Sequence, residues 1–216
     1  MTIWHVNQND KIVKQLSKKD PKLGELIGLI GNVDFQTRPD RFRSLVRSIT
    51  GQLISVAAAE AIFNRLDRAL DGDITAESVK RLPDETIREC GFSRSKLQYL
   101  RDLQEKVCSG SLNLNELDNF DDQTVIKCLT DIKGIGAWTA HMFLIFSLKR
   151  QNILAIGDIG LQRAARWLYQ VEQSKRKEAL LVEGEKWSPH CTIASIYLWE
   201  AVQRGWLSYD SIEDLK

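Results

Sequence analysis

No stretch of this chain approaches the roughly 20 apolar residues that a membrane-spanning helix needs. The longest clearly apolar segment, Ala137 to Leu148, is interrupted by Thr139 and His141. The opening "MTIWHVNQNDKIVKQL" lacks a basic head followed by an apolar run, so no secretory signal is expected. Cysteine is sparse: Cys90, Cys108, Cys128 and Cys191 are scattered, with no C-x-x-C pair. That spacing argues against a zinc or iron–sulfur site and suits reduced thiols in a cytoplasmic protein, where free cysteine packs as a small core residue. An excess of charge is missing too. Thirty basic and 29 acidic residues leave a net charge of +1, so any nucleic-acid partner requires a local basic face. Neither a tandem repeat nor a low-complexity segment is present.

What remains is a helical pattern. The 216 residues, 43% hydrophobic and 27% charged, have the composition of a soluble globular protein with one large or two small domains. Strand signals are nearly absent. Residues 41–70, "RFRSLVRSITGQLISVAAAEAIFNRLDRAL", repeat apolar positions every three or four residues, with Gly51 as the one interruption. Thr75 and Ser93 stand as N-caps, Pro83 opens a short helix, and another helix begins at Asp121. Beyond Asp158 come "IGLQRAARWLY", a charged linker over 172–186, and "SPHCTIASIYLWEAV". The periodicity predicts roughly nine to eleven helices joined by short loops.

One segment breaks this pattern: "LTDIKGIGAWTAHMFLIF", residues 129–146. Glycine inside a helix costs about 1 kcal/mol relative to alanine, yet Gly134 and Gly136 flank a single residue here. A helix ending at Leu129, a turn, and a second helix starting near Ala137 make a helix-hairpin-helix. The glycines then permit a tight turn and leave N–H groups uncovered at a helix N-terminus, where the dipole favours an anion such as phosphate. A plain turn between packed helices is the simpler reading of the motif taken alone.

The motif is not alone. "IKGIGAWTAHMFLIF" followed by "ILAIGDIGLQRAARWLY" resembles the helix-hairpin-helix superfamily of base-excision DNA glycosylases, in which the hairpin precedes a loop bearing an essential aspartate. "SITGQLISVAAAEAIFNRL" and "WSPHCTIASIYLWEA" are similar to segments of its alkylbase branch, the 3-methyladenine DNA glycosylase II enzymes. The resemblance runs from about residue 40 to 201; the first 35 residues match least, and the chain is too short for the extra N-terminal β domain of some members. It implies an all-α fold in two helical subdomains with a cleft between them. Residues 40–145 would form a helical barrel ending in the hairpin, and 1–39 with 146–216 the subdomain carrying the catalytic aspartate.

By this resemblance Asp158 is the catalytic carboxylate, a role whose chemistry is clear. Breaking an N-glycosidic bond builds positive charge on the sugar, which a fixed carboxylate stabilises. As a bare pattern, Asp158 reads as the N-cap of "IGLQRAARWLY", and the two roles are compatible. Trp138 occupies the position where glycosylases that also nick DNA carry a Schiff-base lysine, so a monofunctional enzyme is expected. Trp138, Met142 and Trp199 match the lesion pocket, where aromatic faces attract a cationic alkylated purine. Gln52 and Leu53 match the wedge that replaces the extruded nucleotide, although an isolated leucine in a helical pattern reads as core. Gly134, Gly136 and Thr139 would hold phosphate. The carbonyls of Thr130, Ile132 and Ile135 would bind a monovalent cation, Na or K, and no organic cofactor is implied.

Arg38, Arg41, Arg43, Arg47, Arg94, Lys96 and Arg101 are the candidate basic face, or else an ordinary solvated surface. His190 and Cys191 stand where relatives have an aromatic and an arginine and receive no role; His141 reads as a packing residue. The expectation is a monomeric, monofunctional glycosylase of base excision repair that acts on damaged duplex DNA, in the bacterial nucleoid or a eukaryotic nucleus. Two alternatives remain at this stage: a glycosylase for another base, or a non-catalytic helix-hairpin-helix DNA-binding protein.

Overall fold

The computed structural model describes residues 2–216. Its chain divides into two compact units, one formed by the segment through Thr37 together with Lys149–Lys216, the other by Arg38–Leu148. In the first unit, strand β1 (Thr2–Val6) is followed by α1 (Lys11–Lys19), α2 (Pro21–Ile30) and strand β2 (Val33–Thr37). The second unit holds α3 (Arg41–Gly51), α4 (Val56–Ala69), α5 (Ala76–Arg81), α6 (Asp84–Glu89), α7 (Arg94–Cys108), α8 (Asp122–Thr130) and α9 (Ala137–Phe146). The chain then returns to the first unit with α10 (Ile159–Tyr169), α11 (Arg176–Trp187) and α12 (Cys191–Gln203). No helix among the described residues is long and apolar enough to cross a membrane.

Side-chain caps set most helix starts. Asp40, Ser55, Thr75, Ser93, Asp121 and Asp158 each accept a backbone N–H from the first turn of α3, α4, α5, α7, α8 and α10 respectively. Such a cap contributes about 1 kcal/mol. The α9 helix differs: its N-cap is Gly136, and no side chain closes that end.

The expected all-α architecture holds apart from one small sheet, and three details go beyond the sequence reading. Strands exist: β1 and β2 pair antiparallel with Trp4 opposite Phe35. Val33, Phe35 and Thr37 are buried and alternate with exposed Asp34 and Gln36, a period-two signal only five residues long. The apolar run 41–70 is two helices, because α3 stops at Gly51 and Ser55 starts α4 afresh by accepting the Ala58 N–H at 3.2 Å. Finally, the charged stretch 172–186 contains most of α11. Ala179, Leu180, Gly184 and Trp187 face inward at helical spacing while the charges face water.

In the second unit the core is built from Leu45, Val46, Ile49, Phe63, Leu66, Leu100 and Leu103, all essentially without solvent contact. In the first unit, α12 packs on α2 and α10, and Asp20 forms a polar centre joining the start of α2 to the ends of α10 and α11. The buried Asp20 carboxylate caps α2 through the Leu23 N–H (3.1 Å) and accepts the Trp187 Nε1–H (2.8 Å) and the Tyr169 hydroxyl. Burial and the adjacent Asp20 charge drive the Tyr169 hydroxyl pKa upward, so it stays a proton donor. Replacing Asp20 by alanine strands the three donors it accepts, at about 1–3 kcal/mol for each buried one. Thermal unfolding of Asp20→Ala is expected to fall well below wild type; an unchanged midpoint would show that this network is dispensable.

Candidate active site

The hairpin between α8 and α9 is a real tight turn. Ile132 N–H reaches Leu129 O at 3.1 Å, and Ile135 N–H reaches Ile132 O at 3.0 Å. The two glycines do different work. Gly134 has φ +77°, and a Cβ there would lie 2.2 Å from Tyr99 Cδ2, so both backbone conformation and packing demand glycine. Gly136 has φ −97° with open space where a Cβ would project. Neither Gly134 nor Gly136 N–H has a hydrogen-bond partner among the described residues. Together with the uncapped N-terminus of α9, they form a surface of unspent donors suited to an anion.

Thr139 does not match its expected part. At 4% exposure it is buried, and a phosphate has little hydroxyl surface to meet. Of the residues expected to offer carbonyls, Thr130 turns its hydroxyl back to Ile126 O (2.8 Å), while Ile132 and Ile135 bury their side chains. The Ile132 carbonyl already accepts one N–H.

The Gln52–Leu53 pair sits in the gap between α3 and α4. Leu53 is fully exposed, at 104%, and occupies the left-handed region with φ +57°. For a leucine this conformation costs roughly 1–2 kcal/mol, which is not how a core residue is placed. Gln52 Nε2 donates to Gly134 O at 2.7 Å and ties this loop to the hairpin. The core reading of Leu53 is therefore wrong, and a presented apolar tip stands in its place.

Asp158 caps α10, its Oδ1 accepting the Leu161 N–H at 2.8 Å. The same oxygen accepts the Trp199 Nε1–H at 3.2 Å. Gly160 leaves room for this arrangement, since a Cβ there would lie 3.0 Å from Oδ1. Phe35 on β2 stacks parallel to the Trp199 ring, with centroids 6.3 Å apart and planes within 5°, and Trp4 meets Phe35 edge-on. Sequence reasoning missed Phe35, whose only signal was the short alternation of β2. Trp138 is 47% exposed at the start of α9, whereas Met142 is 7% exposed.

Most of the candidate basic face is otherwise engaged. Arg41 binds Leu114 O and Asp118, and Arg43 pairs with Asp67 at 2.7 Å. Arg101 holds Asp84, Val79 O and Leu82 O. Arg38 lies over Phe146 and Arg47 over Phe63; burial and then the Arg47 charge lower the Arg38 pKa. Lys96 is buried, and Arg94 alone of the seven is exposed with no ion pair among the described residues. The arginine side chains of this group mainly stabilise helix junctions.

Burial lowers the His141 pKa, which keeps that ring neutral inside α9, and raises the Cys191 thiol to about 11, an unreactive value.

A positive-φ glycine turn beneath an uncapped helix, followed by an aspartate seated on the next helix N-terminus, is matched by one family profile over residues 46–190. The chain belongs to the HhH-GPD superfamily of base excision DNA repair proteins. The matched span of the HhH-GPD profile takes in the Gln52–Leu53 loop, the hairpin and Asp158, but not Phe35 or Trp199. The chain is 31% identical to DNA-3-methyladenine glycosylase 1 of Schizosaccharomyces pombe, covering 90% of this chain and 91% of that protein. It is similar to the crystal structure of a DNA-3-methyladenine glycosidase from Bacillus halodurans, with TM-score 0.90, 40% identity and 98% of both chains covered. It is also similar to the Schizosaccharomyces pombe 3-methyladenine DNA glycosylase solved with abasic DNA, with TM-score 0.78, 31% identity, 90% of this chain and 97% of that chain.

The unequal glycines of the HhH-GPD hairpin can be separated by stability. Gly134→Ala is expected to lose about 2 kcal/mol or more, from the left-handed backbone and the collision with Tyr99. Gly136→Ala is expected to unfold close to wild type. Equal denaturant midpoints for the two variants would contradict this assignment.

Proposed function

We propose that this chain is a monofunctional DNA glycosylase that excises alkylated bases of the 3-methyladenine type from duplex DNA. The observation that carries the proposal is the Asp158 carboxylate, held by the Leu161 N–H and the Trp199 indole at a helix N-terminus. The similarity to two DNA-3-methyladenine glycosylases over nine-tenths or more of this chain supports the substrate class.

The chemistry follows from the residues. An N-alkylated purine already carries positive charge, so it can depart without a general acid. As the C1′–N bond breaks, the base takes the bonding pair and the sugar becomes an oxocarbenium-like cation. Asp158 stabilises that cation until water adds to C1′ and loses a proton, leaving an abasic site. Trp199, beside Asp158, offers an aromatic face to the cationic base, a contact contributing about 0.5–2 kcal/mol. Leu53 enters the base stack when the nucleotide leaves it, offsetting part of the few kcal/mol spent on unstacking.

The Gly134 and Gly136 amides hold a DNA phosphate, a contact that positions without reading sequence. A monovalent cation, sodium or potassium, fits the all-oxygen donor set of the Thr130, Ile132 and Ile135 carbonyls, where it would add positive charge toward that phosphate. Position 138 carries tryptophan where a Schiff-base amine would be needed, and Lys133 instead lies within 3.7 Å of Asp102, so strand cleavage is not part of the reaction.

Asp158→Asn tests the assignment, because asparagine caps a helix as well as aspartate does but carries no charge. Single-turnover release of 3-methyladenine is expected to fall about 100- to 1,000-fold, the usual loss of one electrostatic stabiliser. Stability and affinity for an abasic-site analogue are expected to survive. Excision at the wild-type rate would remove Asp158 from the chemistry.

A further inference from the structure

Leu53 is held in a costly conformation with no packing of its own, so something else must fix the loop that carries it. Its side-chain tie is Gln52 to Gly134 O, but its main-chain tie comes from a residue that the sequence offered as surface charge. Lys96, near the start of α7, is 9% exposed, and its Nζ donates to Thr50 O at 2.7 Å. Thr50 is three residues before Leu53, in the last turn of α3, where carbonyls lose their helical partners and the dipole attracts a cation. Lys96 makes no ion pair among the described residues. Burial lowers its pKa, and the Thr50 carbonyl replaces part of the lost hydration of the ammonium.

The next two residues on the same stripe of α7 face the hairpin. Tyr99 lies where a side chain on Gly134 would have to go, and Asp102 Oδ2 accepts the Lys133 N–H at 2.9 Å. Spaced three apart, Lys96, Tyr99 and Asp102 share one helix face. That face therefore touches the end of α3, the glycine turn and the residue before it.

We propose that Lys96 is a positioning residue for the Leu53 wedge, with the Lys96–Tyr99–Asp102 face of α7 joining wedge loop and phosphate-binding hairpin into one rigid element. Gripping a phosphate at the hairpin and pressing Leu53 into the duplex are then a single event. This rests on the glycosylase reading of Leu53 given above, and the test separates the two.

Lys96→Met keeps the apolar stem and removes the ammonium. Four proteins are compared: wild type, Lys96→Met, Leu53→Ala and the double variant. Each is assayed for affinity to undamaged duplex, affinity to the same duplex bearing an abasic-site analogue, and base unstacking by 2-aminopurine fluorescence. Lys96→Met is expected to bind undamaged duplex as wild type does while losing about tenfold of its preference for the abasic duplex, a typical coupling between groups joined through a shared backbone segment. Its unstacking signal is expected to fall likewise. Leu53→Ala is expected to show the same loss, and the double variant no more than either alone. Lys96→Arg, which keeps charge and donors, is expected to restore most of the preference.

Additive losses in the double variant would overturn the proposal, since Lys96 would then act elsewhere. A full abasic preference in Lys96→Met beside a lost one in Leu53→Ala would overturn it while leaving the wedge intact. An unaffected Leu53→Ala would overturn the wedge reading and this proposal with it. If Lys96→Met does not fold, Lys96→Gln replaces it under the same expectations. Failure of both to fold while Lys96→Ala unfolds like wild type would also count against a specific ammonium role.

Discussion

The proposed chemistry depends on where one carboxylate oxygen is held. Asp158 Oδ1 accepts both the first-turn N–H of α10 and the Trp199 indole N–H, so the carboxylate is fixed by a helix end and by a ring. The helix end favours negative charge, and the ring sets its direction. The ring in turn is clamped by Phe35, which stands on the only sheet among the described residues. A pair of five-residue strands, too small to stabilise a domain, thus backs the ring that holds the Asp158 carboxylate.

In the other unit the governing constraints are two left-handed residues with opposite logic. Gly134 adopts φ +77° without strain and is packed against Tyr99, as a structural turn requires. Leu53 adopts φ +57° at a cost and is packed against nothing. Strain of this kind persists only when surrounding contacts over-determine it, and here Lys96 and Gln52 supply them. A leucine held in such a state points to a function in contact with another molecule.

The legible part of this fold was local. N-caps at Thr75, Ser93, Asp121 and Asp158 and the glycine turn at 134 each depend on a few neighbouring residues, and a sequence displays those directly. What stayed hidden depended on distant partners. The charge of Lys96 looked like surface because the carbonyl it serves is 46 residues away. The arginines at 41, 43 and 101 looked like a DNA face because their acceptors, Asp118, Asp67 and Asp84, are likewise remote in sequence. Phe35 and its strand fell below the length at which alternation is distinguishable from chance. The pocket role expected for Met142 and the phosphate role expected for Thr139 came from family resemblance, and both side chains are buried in α9.

A monofunctional alkylbase glycosylase releases an alkylated purine and leaves the sugar–phosphate strand whole. The direct measurement is to incubate methylated duplex DNA with the protein, identify the released bases by liquid chromatography with mass spectrometry, and run the remaining strand on a denaturing gel. The expected result is free 3-methyladenine and a strand that breaks only after hot alkali, with no protein–DNA adduct trapped by borohydride. Release of a different base alone, no release at all, or a strand nicked with a trapped adduct would contradict it.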